Sequence, residues 1–232
     1  MSVRVESASD MGPLERAYVE ILAPSFPASE LTPRSAFLAQ ARSGELVALV
    51  AWIDDVPCGV IVGERAGSTM LIAWLAVRAD LRGRGVGSAL LDAGKEEWMR
   101  SPDVELVLAE LERPDMHVAD EAFGDPRRRI RFYAGHGAAA LDLPYYQPSI
   151  TEGMPRVRGL ILALVASRTT AATTATPRML EAVEAAAVRS YLLETFGSPA
   201  DADAETARIH TAAGAQEGIR LVALDDYREI PV

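Results

Sequence analysis

With 232 residues, 49% of them hydrophobic, the chain is long enough to bury a sizeable core and too apolar to be disordered throughout. Its formal net charge of −10, from 33 acidic against 23 basic residues, argues against a nucleic-acid partner and suits an enzyme that attracts cationic or amine ligands. The single cysteine, Cys58, excludes an internal disulfide, and the apolar runs are too short for a membrane span.

From the N-terminus, MSVRVESASD has no apolar core of a signal peptide, so the expected location is the cytoplasm. Within it VRVES alternates and predicts a short strand. Residues 10–22 have helical spacing, with Leu14, Tyr18, Ile21 and Leu22 on one side, and Pro24 and Pro27 then break the chain. Residues 33–42 predict a second helix, with Thr32 as N-cap and Pro33 in the first position. Three strands follow, ELVALVAWI, PCGVIVGE and STMLIAWLAV, and loops this short imply antiparallel pairing. A glycine-rich turn then opens a helix over residues 86–99. VELVLAEL predicts a buried strand, set parallel to its predecessor by the crossover helix. RRRIRFYAGHG reads as a helix stopped at Gly135 and Gly137, and AAALDLPYYQ and VRGLILALVA as closing strands.

The low-complexity stretch SRTTAATTAT, 167–176, is the expected linker. Beyond it a helix from Thr176 and Pro177 to about residue 195 puts Leu180, Val183, Ala187 and Tyr191 on one face. A second helix starts at Ser198 and Pro199, and IRLVAL ends as a strand. The expected fold class is α/β. A mixed, mostly antiparallel sheet flanked by helices occupies 1–166, and 167–232 add the linker and a small, mainly helical C-terminal extension. That extension is expected to pack on the main body or on a second subunit, with a homodimer as the default form of self-association.

The stretch DLRGRGVGSALLD, 80–92, sets the functional question. A Walker A loop needs a lysine before its hydroxyl residue, and Gly87-Ser88 has none. A dinucleotide fingerprint is approximated by Gly83, Gly85 and Ser88, with Glu110 as the acid. Five residues, 78–82, separate the strand from the first glycine, however, and an antiparallel meander precedes it. A pyrophosphate cradle fits better: glycines permit inward amides, a helix begins at once, and Arg82 and Arg84 add charge. Arg82-Gly83-Arg84-Gly85-Val86-Gly87, closed by Ser88, is similar to the coenzyme A signature Arg/Gln-x-x-Gly-x-Gly/Ala of the N-acetyltransferase (GNAT) superfamily. The order of elements from Val3 to about Ala166 also resembles that fold.

The resemblance implies acetyl-CoA as co-substrate, bound at Arg82, Gly83, Arg84, Gly85, Val86, Gly87 and Ser88. It also implies that the main chain of Leu75, Ala76 and Val77 pairs with the pantetheine arm as an added strand does. Tyr133 matches the family's tyrosine that reaches the coenzyme sulfur and protonates the leaving thiolate; a phenol, with a pKa of about 10, suits that task. The chain departs from the family pattern nearby: Pro126 and Arg129 stand where Asn and Ala are common, and Ala138 replaces the usual Phe.

Acetylation of an amine needs a base, and carboxylates at strand ends are the candidates: Glu110 first, Glu64 second. His136, between glycines at a helix end, reads as a cap. His117, Asp120 and Glu121 read as solvated, and no metal is expected. Phe26 and Glu30 are expected to give the acceptor an apolar wall and an ammonium partner. The loop LERPDMHVADEAFGDP is the other wall, and Tyr145, Tyr146 and Gln147 complete the pocket. Cys58 lies in an apolar strand, which disfavours a covalent acyl-enzyme. The implied function is transfer of an acetyl group from acetyl-CoA to the primary amine of a small molecule, by direct attack in a ternary complex. The rival readings are a non-catalytic acyl-CoA-binding sensor or scaffold, and an acyltransferase using another acyl group.

Overall fold

The computed structural model describes residues 2–8, 10–28, 30–120, 124–149, 155–169 and 177–232; Glu121 and most of the expected linker lie outside them. The chain forms two compact units. The first is built on Met1–Arg65 and Leu71–Ser101, the second on Ala66–Met70, Pro102–Asp120 and Gly124–Val232. Among the described residues no helix is long and apolar enough to cross a membrane.

The first unit holds β1 (Arg4–Ser7), α1 (Met11–Ala17), α2 (Ala23–Ser25), α3 (Arg34–Ser43), β2 (Leu46–Ile53), α4 (Val86–Met99) and all but the adjoining ends of β3 (Val56–Ala66) and β4 (Thr69–Val77). Its strands lie in the order β1-β2-β3-β4, with β1–β2 and β2–β3 antiparallel. Asp54 and Asp55, at φ 50° and 59°, make the two-residue turn between β2 and β3 that matches the strand twist. Helix α4 buries Val86, Leu90, Leu91, Gly94 and Trp98 along one stripe. Gly59 of β3 lets that helix approach closely. A Cβ there would stand 2.7 Å from Leu90 Cδ1 and 3.1 Å from both Ala76 O and Val86 Cγ1.

Two local expectations of the first unit are corrected. The helix expected over residues 10–22 widens into a π turn at Tyr18–Leu22, where Ala23 N–H donates to Tyr18 O. Pro24 has no N–H for the carbonyl four residues back, and the wider turn passes over it. Helix α3 starts at Arg34 with Pro33 as its uncapped N-cap. Thr32 instead offers its carbonyl to the Tyr18 hydroxyl at 2.8 Å.

The second unit holds β5 (Leu106–Glu112), α5 (Pro126–Gly135), β6 (Ala139–Leu141), β7 (Leu160–Ser167), β8 (Arg178–Met179), α6 (Ala182–Phe196), α7 (Ala204–Ala213) and β9 (Arg220–Ala223). Its strand order is β5-β7-β6-β9-β8, with each of these neighbours antiparallel. The closing strand expected over 138–147 is only three residues long, because Leu143 N–H turns back to Leu141 O at 2.8 Å and Pro144 follows.

The compact unit runs across the 166/167 boundary set from the sequence. Strand β9 pairs Ala140 with Val222, and Arg220 Nε donates to Asp142 Oδ2 at 2.9 Å. The helix expected from Thr176 and Pro177 begins only at Ala182, since β8 takes Arg178 and Met179. Val183, expected on the packed face, is exposed, while Ala185, Ala187, Val188, Tyr191 and Leu192 are buried. At Ser198–Pro199 the chain makes a short 3-10 turn, and α7 starts later, capped by Asp203 on Thr206 N–H at 2.9 Å.

Glu184 anchors α6. Its side chain is 1% exposed, pairs with Arg178 through two bonds of 2.8 and 2.9 Å, and caps Glu181 N–H at 2.8 Å. Burial opposes the charge, but Arg178 and the capping amide prevail and pull the carboxyl from 4.5 to about 2. A depressed carboxyl stabilises the fold above its unfolded pKa, so about 3 kcal/mol is present at neutral pH. It is lost as pH falls from 4.5 to about 2. Glu184→Gln is expected to destabilise by about 3–5 kcal/mol at pH 7. In chemical denaturation its deficit against the parent protein shrinks as the pH is lowered through that window.

Candidate active site

The first unit supplies a cradle of amides. After β4, Arg78 N–H returns to Cys58 O at 2.9 Å, and a 3-10 turn over Ala79–Leu81 leads into the glycines. Gly83 and Gly85 have φ of +76° and +84°, the left-handed region that side chains disfavour. Among the described residues, no heavy atom beyond the chain neighbours lies within 4 Å of the Cβ position at either glycine, leaving this backbone open to an approaching group. Gly85 is the N-cap of α4, and Ala89 N–H is the first to reach its carbonyl, at 3.0 Å. The amides of Val86, Gly87 and Ser88 precede that bond and stand at the positive end of the helix dipole. Arg82 and Arg84 are exposed beside them, and Arg82 Nε also donates to Val77 O at 3.3 Å. Successive amides flanked by two guanidinium groups fit a pyrophosphate. Of the β4 candidates, Ala76 is buried and Leu75 and Val77 are half-buried.

The first unit also holds Phe26, Glu30 and Glu64. Phe26 packs half-buried on the core cluster that Trp74 joins, and Trp74 Nε1 donates to Glu30 O at 3.0 Å. Glu30 thus meets an aromatic side chain of β4 through its main chain, and Phe26 packs on the same core cluster as that side chain. Glu64 stands exposed at the end of β3, its carboxyl pushed up by partial desolvation and by the Glu45 carboxylate. Cys58 is fully buried, and burial pushes its thiol up, away from the reactive thiolate.

The second unit builds its polar site on β5. Leu106, Leu108, Glu110 and Glu112 share one face by strand alternation. The Tyr145 hydroxyl donates to Glu110 Oε1, and Gln147 Nε2 donates to Oε2 at 3.0 Å. Behind Tyr145 stands Tyr191 of α6, hydroxyl to hydroxyl at 2.9 Å. Burial first, then the Glu110 charge and Tyr191, hold the Tyr145 phenol well above its ordinary range, so it remains a donor. Two residues along, Glu112 pairs with Arg129 of α5 at 2.9 Å. Tyr133 follows Arg129 by one helical turn on the same face of α5. It is 5% exposed and packs edge-on to Phe132 at 5.3 Å. Burial pushes its phenol up, against the opposing pull of Arg129.

Glu110, Tyr145 and Gln147 are therefore brought together, and Tyr191 joins them although the sequence marked it only as a packing residue. Tyr146 stands apart from this group. It is 3% exposed, its hydroxyl meets Thr206 Oγ1, and its ring packs against Phe196 at 5.0 Å and under Arg156 at 4.8 Å. Phe196 of α6 and Thr206 of α7 thus pack on it. Tyr145 is likewise covered, at 4% exposure, and serves Glu110 rather than a pocket wall. His136 caps α5, with Nδ1 2.7 Å from Phe132 O. His117 Nε2 lies 2.8 Å from Arg158 O. Among the described residues no group of three His, Cys, Asp or Glu side chains is placed to hold a metal ion.

The chain matches the acetyltransferase (GNAT) family model over residues 15–124. A GNAT-family protein from Bacteroides thetaiotaomicron superposes with a TM-score of 0.59 at 23% identity, over 85% of this chain and 99% of that one. Arabidopsis thaliana Naa50, in complex with a bisubstrate analogue, superposes with a TM-score of 0.50 at 19% identity, over 72% of this chain and 99% of that one. No curated protein matches the sequence. At these identities the structural likenesses show the fold alone: mixed α/β, a mostly antiparallel open sheet flanked by helices.

Proposed function

We propose, on the match of residues 15–124 to the acetyltransferase (GNAT) family model, that the chain transfers the acetyl group of acetyl-CoA to the primary amine of a small molecule, by direct attack in a ternary complex. The observation that carries the reading is the turn at Gly83 and Gly85, left-handed, open, and running straight into the first turn of α4. The pyrophosphate is held by the amides from Gly83 to Ser88 with Arg82 and Arg84, and the pantetheine arm by the main chain of Leu75, Ala76 and Val77. The co-substrate supplies a thioester whose carbonyl carbon accepts the amine nitrogen as the carbon–sulfur bond breaks.

Glu110 takes the ammonium proton, which frees the nitrogen lone pair. Glu64 is the second candidate. Two neutral donors hold Glu110 in place, which favours it over a carboxylate exposed at a strand end. Tyr133 gives its proton to the departing thiolate, and the second proton of the nitrogen, shed as the amide forms, makes good that loss through solvent. Phe26 and Glu30 face the acceptor, and the net charge of −10 supports a cationic one. The buried Cys58 supports direct attack over a covalent acyl-enzyme.

The test is a thermal-shift titration with acetyl-CoA, with NADH and ATP as controls, followed by thiol release over a panel of amines. Saturation at a hundred times Kd stabilises by about 2.7 kcal/mol. Gly85→Val, which forces a branched side chain to φ +84°, is expected to abolish the shift. Release with small primary amines supports the reading. Release only with peptide N-termini overturns the small-molecule acceptor, and a shift without release over the whole panel favours the sensor reading.

A further inference from the structure

The hydroxyl chain behind Glu110 has a direction, and it reaches into the C-terminal segment. An ionised carboxylate only accepts hydrogen bonds. The one proton of Tyr145 is therefore committed to Glu110 Oε1. Its oxygen, 2.9 Å from that of Tyr191, must then accept from Tyr191. The order Tyr191 to Tyr145 to Glu110 is thus fixed, and in such a chain each donor polarises the next. Tyr191 is 2% exposed, so this order forms away from water. The other carboxylate oxygen is held by Gln147 at 3.0 Å.

Groups from several elements of the second unit stand around Glu110. Tyr145 and Gln147 follow β6, Tyr191 is on α6, and the register partner on β7 is the apolar Leu162. On its own strand the same face carries Glu112, which Arg129 of α5 holds at 2.9 Å and His117 approaches at 3.7 Å. Resting on the reading of Glu110 as the base, we propose that Tyr191 is a positioning residue that, through Tyr145, fixes the Glu110 carboxylate and lowers its affinity for a proton. The C-terminal segment then belongs to the catalytic apparatus: one hydroxyl of α6 sets the pH at which the base becomes available.

Tyr191→Phe removes one buried oxygen and keeps the ring. Glu110 can be followed directly by carbon NMR of protein labelled at its glutamate carboxyls, the signal being assigned by its loss in Glu110→Gln. In Tyr191→Phe the Glu110 titration is expected to move up by about half a pH unit. The acid limb of kcat/KM moves with it, lowering the rate on that limb about threefold. In a Tyr145→Phe background Tyr191→Phe is expected to add nothing, because the path through Tyr145 is already cut. An unmoved Glu110 titration in Tyr191→Phe overturns the proposal, as does a shift of full size without the Tyr145 hydroxyl. A moved titration with an unmoved acid limb upholds the Tyr191 chain and removes Glu110 as the base, so the two failures are distinct.

Discussion

Glu110→Gln is expected to lower kcat/KM for the amine roughly 100- to 10,000-fold near pH 7, the range for losing a positioned base. That is about 3 to 5 kcal/mol of transition-state stabilisation. The substitution is nearly isosteric, and the surroundings can absorb it. Tyr145 can still donate to the new amide oxygen, and Gln147 can turn its own amide to accept from the new NH₂. The fold and the acetyl-CoA thermal shift should therefore be unchanged. The loss should also depend on pH in a particular direction. An alkyl ammonium has a pKa of about 10, so the free-amine fraction grows tenfold per pH unit below it. Without a base the variant depends on that fraction, and its deficit narrows steadily from pH 7 to pH 9. A deficit constant with pH would mean that Glu110 acts as a structural support. Glu64→Gln is the control: a larger loss there than in Glu110→Gln would transfer the role to the end of β3.

Much of this arrangement is legible in the sequence, and the reason is local. The turn at Asp54 and Asp55, the apolar runs of β2 to β4, and the stripe Val86, Leu90, Leu91 and Trp98 follow from periods, run lengths and turn residues within a short window. The left-handed glycines are legible for the same cause, since only glycine takes φ of +76° and +84° without strain.

What sequence does not reveal is long-range pairing. Tyr145 meets Glu110 across 35 positions and Tyr191 across 46, and nothing in the spacing of a tyrosine announces where its hydroxyl will end. LPYYQPS read as a pocket wall because two adjacent tyrosines look like contact residues. The structure divides them, one on the Glu110 carboxylate and one under α6 and α7. The late start of α6 has a similar cause. Glu181 and Glu184 form a capping box whose second carboxylate also needs Arg178, so the first residues after Pro177 are drawn into β8.

Tyr133→Phe is expected to lower kcat about 100-fold while leaving KM for the amine and the affinity for acetyl-CoA near their parent values. A proton donated to a leaving thiolate is needed only in the transition state, so its removal lowers kcat and kcat/KM together. Packing should survive, because the contact with Phe132 at 5.3 Å is made by ring edges that phenylalanine keeps. Burial raises the phenol above 10, and the Arg129 guanidinium, which lowers it, is pinned to Glu112 at 2.9 Å. Two consequences follow from that balance. The donor stays protonated throughout the neutral and mildly alkaline range, so kcat should show no alkaline decline from this group below about pH 10. The donor is also a weaker acid than a free phenol, so much of its benefit is a hydrogen bond to the charge developing on sulfur before the proton moves. Arg129→Gln, which removes the opposing charge, should then lower kcat by a smaller factor and in the same direction. If Tyr133→Phe leaves kcat unchanged, the hydroxyl takes no part, and the thiolate leaves with its proton drawn from water.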